Sequence, residues 1–121
     1  MPRPILAEDH IHAAIRERVA LHHHETLQEV QAALAQHAVV VVGMRRNPFC
    51  GKVRKALTGA GVAHHYLEYG SYLREWRRRN AIKMWAGWPT LPMVFVKGVL
   101  VGGAEDTDKL IASGELQRLL A

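Results

Sequence analysis

The chain has 121 residues, with 16 Lys and Arg against 11 Asp and Glu, and a single cysteine, Cys50. That length holds one hydrophobic core without covalent staples, while one cysteine excludes an internal disulfide framework and a four-cysteine metal site built by one chain. The net charge of +5 favours anionic partners without choosing among them, and no apolar run approaches the roughly 20 residues of a membrane span, so a soluble, cytoplasmic protein in a reducing compartment is expected.

In chain order, Ile11, Ala14, Ile15 and Val19 recur at helical spacing between charges, which predicts an amphipathic helix over 7–23. Residues 1–24 are therefore read as a helical extension and 25–121 as the main domain. Thr26 and Glu29 stand three apart at the head of a second apolar-faced helix (Leu27, Val30, Ala33, Leu34), the pattern of a capping box. Val39 to Val42 is continuously β-branched and apolar, as in a strand buried on both faces.

Asn47-Pro48 suits a helix start, because Asn is a strong N-cap and Pro is favoured at the first helical position. A helix over 48–60, closed by Gly59 and Gly61, and a strand over 64–68 then complete a βαβ unit. A basic helix over 72–85 follows, then short strands at 93–96 and 99–101 joined tightly at Lys97-Gly98. The last helical stretch, 105–120, has a break at Ser113-Gly114. This order describes an α/β fold, a mixed four-stranded sheet flanked by helices, with an extra N-terminal helix.

Trp88-Pro89-Thr90-Leu91-Pro92, followed at a set distance by Val101-Gly102-Gly103, is close to a signature of monothiol glutaredoxins. From about Thr26 to Leu120 the chain resembles the glutaredoxin family, whose fold is thioredoxin-like. The resemblance implies glutathione as ligand and a cis Leu91-Pro92 bond, with the Leu91 backbone pairing with the cysteinyl part of glutathione. It also implies that Arg79 and Lys83, one helical turn apart, face the glycine carboxylate. Gly103, Ala104 and Glu105, at the start of the last helix, would hold the γ-glutamyl end. Met44 takes the place of a ligand-contacting lysine, and Arg45 is the candidate substitute.

Cys50-Gly51 shares two residues with the monothiol motif Cys-Gly-Phe-Ser. Asn47-Pro48-Phe49-Cys50 is similar instead to the dithiol motif Cys-Pro-Tyr-Cys with its first cysteine replaced, and this alignment runs without a gap from the Val39 strand to Val62. Cys50 then sits in the first helical turn, where the helix N-terminus and nearby Arg45, Arg46 and Lys52 are expected to lower its pKa. The resemblance implies monothiol exchange with glutathionylated proteins, Cys50 being the catalytic thiol. Two alternatives stand beside it. One is a [2Fe-2S] carrier in which Cys50 and glutathione hold a cluster across a homodimer. The other is a redox-silent binding module, for which Asn47 at the attack position is the best support. Arg77-Arg78-Arg79 reads as a solvated helix face and not as a nucleic-acid surface, with Trp76 and Trp85 as packing residues. The eight histidines lack closed-site metal spacing and read as surface residues.

Overall fold

In the computed structural model, which describes residues 2–121, the strand with the most continuous apolar run lies at the centre of the sheet. β1 (Val39–Gly43) is buried along its whole length. It pairs in parallel with β2 (His65–Glu68), Val40 opposite His65, and antiparallel with β3 (Met93–Val96), Val40 opposite Phe95. β4 (Val99–Gly102) adds antiparallel to β3, giving the order β2-β1-β3-β4. The β3–β4 turn places Lys97 at φ 50° and Gly98 at φ 79°. Two positive φ values match the turn to the strand twist and keep the hairpin tight.

Because side chains alternate across a strand, β1 serves two cores. Val40 and Val42 join Val30, Tyr69, Ile82, Met93 and Phe95 on one face. That face is covered by α2 (His24–Gln36) and α4 (Trp76–Ala86). Val39 and Val41 join Val53, Leu57, Val94, Val96 and Leu116 on the other. There α3 (Pro48–Gly59) and α5 (Ala104–Ser113) pack side by side, and α6 (Glu115–Leu120) follows α5 after Gly114 at φ 78°. The mixed four-stranded sheet and the break in the last helical stretch are as expected.

Three boundaries differ from the sequence expectation. α1 spans only Ala13–Leu21, preceded by a single 3-10 turn at Glu8–His10, and none of its residues is buried. Met1, first in the expected extension, lies outside the described residues. No capping box opens α2. Thr26 lies inside the helix and its Oγ1 accepts from Arg78 Nε at 2.9 Å, while Glu29 accepts from the Tyr69 hydroxyl at 2.7 Å. Both side chains are drawn to tertiary partners. α4 starts at Trp76 and not at 72, because Ser71 to Arg74 closes a turn and Glu75 takes a left-handed φ of 58°.

Candidate functional site

The loop after β1, the 88–92 segment before β3 and the N-terminus of α5 converge at one end of the sheet. They enclose a groove of about 530 Å³ lined by residues that include Asn47, Phe49, Lys83, Leu91, Pro92 and Glu105. The Leu91-Pro92 bond is cis, as the resemblance implied.

The α5 side is built from backbone. Gly103 N–H donates to Asp106 Oδ2 at 3.0 Å, and the Gly103 carbonyl accepts from Thr107 N at 3.0 Å and from its hydroxyl at 2.8 Å. Asp106 is thus used to close the helix start. The amides of Ala104 and Glu105, in the first turn of the helix, have no intrahelical acceptor. The groove also borders Trp88, whose indole Nε1 is buried without a hydrogen-bond partner among the described residues.

The α3 side is different. Asn47 Oδ1 accepts from Phe49 N at 2.9 Å and Cys50 N at 3.2 Å, so Asn47 is the N-cap and Pro48 the first helical residue. Cys50 is only 2% exposed and is not among the residues lining the groove. Its Sγ is turned toward Gly43 and Tyr66: a Cβ added at Gly43 would stand 2.9 Å from Sγ and 2.8 Å from the Tyr66 hydroxyl. Burial pushes the Cys50 thiol up from its ordinary value and Glu68 adds to this, outweighing the Met44 backbone, Tyr66 and Arg54, which act the other way. The expected lowering by Arg45, Arg46 and Lys52 does not occur. Desolvation outweighs the groups that favour a thiolate here.

Of the residues singled out by the sequence, Lys83, Leu91, Pro92, Gly103, Ala104 and Glu105 line the groove together. Arg45 does not; it is exposed and pairs with Glu68 at 3.5 Å. Arg79 is likewise elsewhere, 6% exposed, its guanidinium donating to the carbonyls of Tyr69 and Arg74. The spacing of four that puts Arg79 and Lys83 on one helix face does not put both heads in the groove, because Arg79 closes the turn that precedes its own helix. Tyr72 lines the groove without having been singled out, and Phe49 and Thr90, named in the sequence only as members of motifs, line it too.

Cys50 as ligand of a [2Fe-2S] cluster shared across a dimer does not fit this arrangement, since Gly43 and Tyr66 enclose its sulfur. A second cavity, of about 450 Å³, lies where α1 meets α2 and is lined by His23, His24, Glu29 and Arg78 among others. Arg78 there pairs with Glu29 at 3.8 Å, leaving fewer free groups for a ligand.

The family model for glutaredoxin matches residues 39–101. The chain belongs to the glutaredoxin family. A glutaredoxin-like protein of Dictyostelium discoideum is 47% identical over 95 residues, covering 78% of this chain and 77% of its own. Among solved structures, this glutaredoxin-family chain resembles oxidised glutaredoxin 2 of Chlamydomonas reinhardtii, with a TM-score of 0.69 at 28% identity over 80% of this chain and 92% of that one. A buckwheat glutaredoxin–glutathione complex shares the fold, with a TM-score of 0.71 at 24% identity over 80% and 88% of the two chains. The fold is thioredoxin-like, as expected, and among the described residues no helix is long and apolar enough to cross a membrane.

Proposed function

We propose that the groove binds glutathione as a non-covalent ligand and that Cys50 takes no part in thiol exchange. The observation that carries this reading is that Lys83, cis Leu91-Pro92 and the α5 N-terminus line one groove from which the only thiol is absent. By family resemblance, Lys83 meets the glycine carboxylate, the Leu91 backbone pairs with the cysteinyl residue, and the Ala104 and Glu105 amides receive the γ-glutamyl carboxylate. A helix N-terminus with free amides favours a carboxylate there. The glutathione-binding unit is residues 25–121, with 1–24 as an extension, acting in a reducing compartment.

Thiolate, not thiol, is the nucleophile in exchange, so a buried thiol with a raised pKa is a poor one. Calorimetry with reduced glutathione and with S-methylglutathione tests both halves of the reading. The expected result is similar affinity for the two, with no mass adduct on the native protein after incubation with oxidised glutathione. Asn47→Cys, which places a thiol at the helix cap beside the groove, is expected to gain a 1:1 glutathione adduct. No binding of either ligand sinks the groove assignment, and an adduct on the native protein, lost in Cys50→Ser, returns Cys50 to the role of nucleophile.

A further inference from the structure

Charge is distributed unevenly along this chain. Ten of its sixteen Lys and Arg, but two of its eleven acids, fall within residues 43–88. That stretch holds α3, α4 and the loops leading into them. Among the described residues, Arg46, Lys52, Lys55, Arg74 and Arg77 form no salt bridge, because the pairs made in this stretch use Arg45 and Arg78.

Large apolar side chains are exposed in the same stretch: Phe49 at 57%, Tyr72 at 60%, Leu73 at 91% and Trp76 at 51%. Trp76 is thus not the packing residue that the sequence suggested. The Arg77 guanidinium lies 5.1 Å from the centre of its ring. Phe49 and Tyr72 border the same groove, and Lys52, three residues after Phe49, shares its helix face. The loop before α3 and the turn before α4 meet, the Arg45 N–H donating to the Gly70 carbonyl at 2.6 Å, and there exposed aromatic groups among unpaired cations mark an interaction surface.

The opposite wall of the groove carries two acids, Glu105, which pairs with Lys109 at 3.6 Å, and Asp106, which accepts from Gly103 N–H. A uniformly charged polyanion laid across the groove meets repulsion there. A polypeptide can turn carboxylates to one side and an apolar group to the other, so the two-signed rim fits a protein segment better than a nucleic-acid strand.

We propose that the α3–α4 rim is a docking surface for an acidic polypeptide segment, its apolar or aromatic anchor seated against Phe49, Tyr72 and Trp76 and its carboxylates facing Arg46, Lys52 and Arg77. Such docking does not require glutathione, although Phe49 and Tyr72 also line the groove, so the binding assay is run without it.

The test uses the full chain and a fluorescent twelve-residue peptide of Asp and Glu around a central Leu-Phe pair. Controls are the same peptide with Asn and Gln in place of the acids, and an oligothymidylate of equal charge. The acidic peptide is expected to bind at least about tenfold tighter than its neutral analogue and to weaken several-fold as salt rises. Arg46→Glu with Lys52→Glu and Arg77→Glu should cost about tenfold or more in affinity at an unchanged melting temperature. Lys97→Glu with Lys109→Glu and Arg118→Glu, a reversal of equal charge elsewhere, should keep most of it. Equal affinity for the two peptides overturns the proposal, as does an equal loss in the two triple variants. Tighter binding of the oligothymidylate than of the acidic peptide also overturns it and makes the rim a nucleic-acid surface.

Discussion

The two walls of the groove rest on the same central strands but are made of different materials. On the α5 side the groups proposed to meet a ligand are main-chain: the Leu91 backbone before a cis proline and the open amides of Ala104 and Glu105. On the α3 side everything turns on side chains, with Asn47 capping the helix and Cys50 folded inward against Gly43 and Tyr66. Recognition built from backbone survives changes of side chain. Reactivity rests on the exposure and pKa of one sulfur atom, and here that sulfur is buried and its pKa raised.

The largest expected effect separates support from contact on α4. Arg79→Met leaves the Tyr69 and Arg74 carbonyls without their charged donor in a buried position, at about 2–4 kcal/mol. Thermal unfolding should show a melting temperature lowered by roughly 10 °C, with the glutathione affinity of the folded fraction unchanged. Lys83→Ala, on the groove side of the same helix, should do the reverse, costing about tenfold in affinity at an unchanged melting temperature. If both variants lose affinity alike, α4 does not divide its cations between fold and ligand.

The contrast between the walls also explains what the sequence revealed. β1 was legible because burial on both faces demands an unbroken apolar run, and the start of α3 because Asn-Pro satisfies a local rule. The α5 side was legible through short motifs, among them Leu91-Pro92 and Gly103, which the fold brings to one groove. Arg79, Thr26 and Glu29 were misread for one reason: each has a local pattern that fits its expected role, and each is claimed by a partner distant in sequence, Tyr69 or Arg78. The inward turn of Cys50 was equally hidden, since it depends on Tyr66 lying across the sheet end.

The α3 wall can be opened from behind. At Gly43 an added Cβ would meet the Tyr66 ring at 2.8 Å and Cys50 Sγ at 2.9 Å, so Gly43→Ala should destabilise by about 1–3 kcal/mol. Displacing Tyr66 should also speed alkylation of Cys50 by iodoacetamide several-fold. Gly59→Ala meets no atom within 4 Å and should instead stabilise slightly, by up to about 1 kcal/mol. A smaller loss, about 1 kcal/mol in denaturant unfolding, is expected of Asn47→Ala, which removes the acceptor for the Phe49 and Cys50 amides.

The finest test is the sign of a pH dependence. Burial raises the folded pKa of Cys50 above its unfolded value, so the folded chain holds that proton more tightly than the unfolded one. The resulting stability is complete below the unfolded pKa of about 8.5 and is lost as pH rises through the folded value. Tyr66, pushed up to about 12 chiefly by burial, acts in the same sense at higher pH. The melting temperature should therefore fall above about pH 8.5, and Cys50→Ala should flatten its slope up to about pH 10. A thiol poised as a nucleophile has the opposite linkage: with a folded pKa below the unfolded one, the protein gains stability as pH rises toward 8. A positive slope between about pH 6 and 8 that vanishes in Cys50→Ala would make the α3 wall reactive after all and end the distinction between the two sides of the groove.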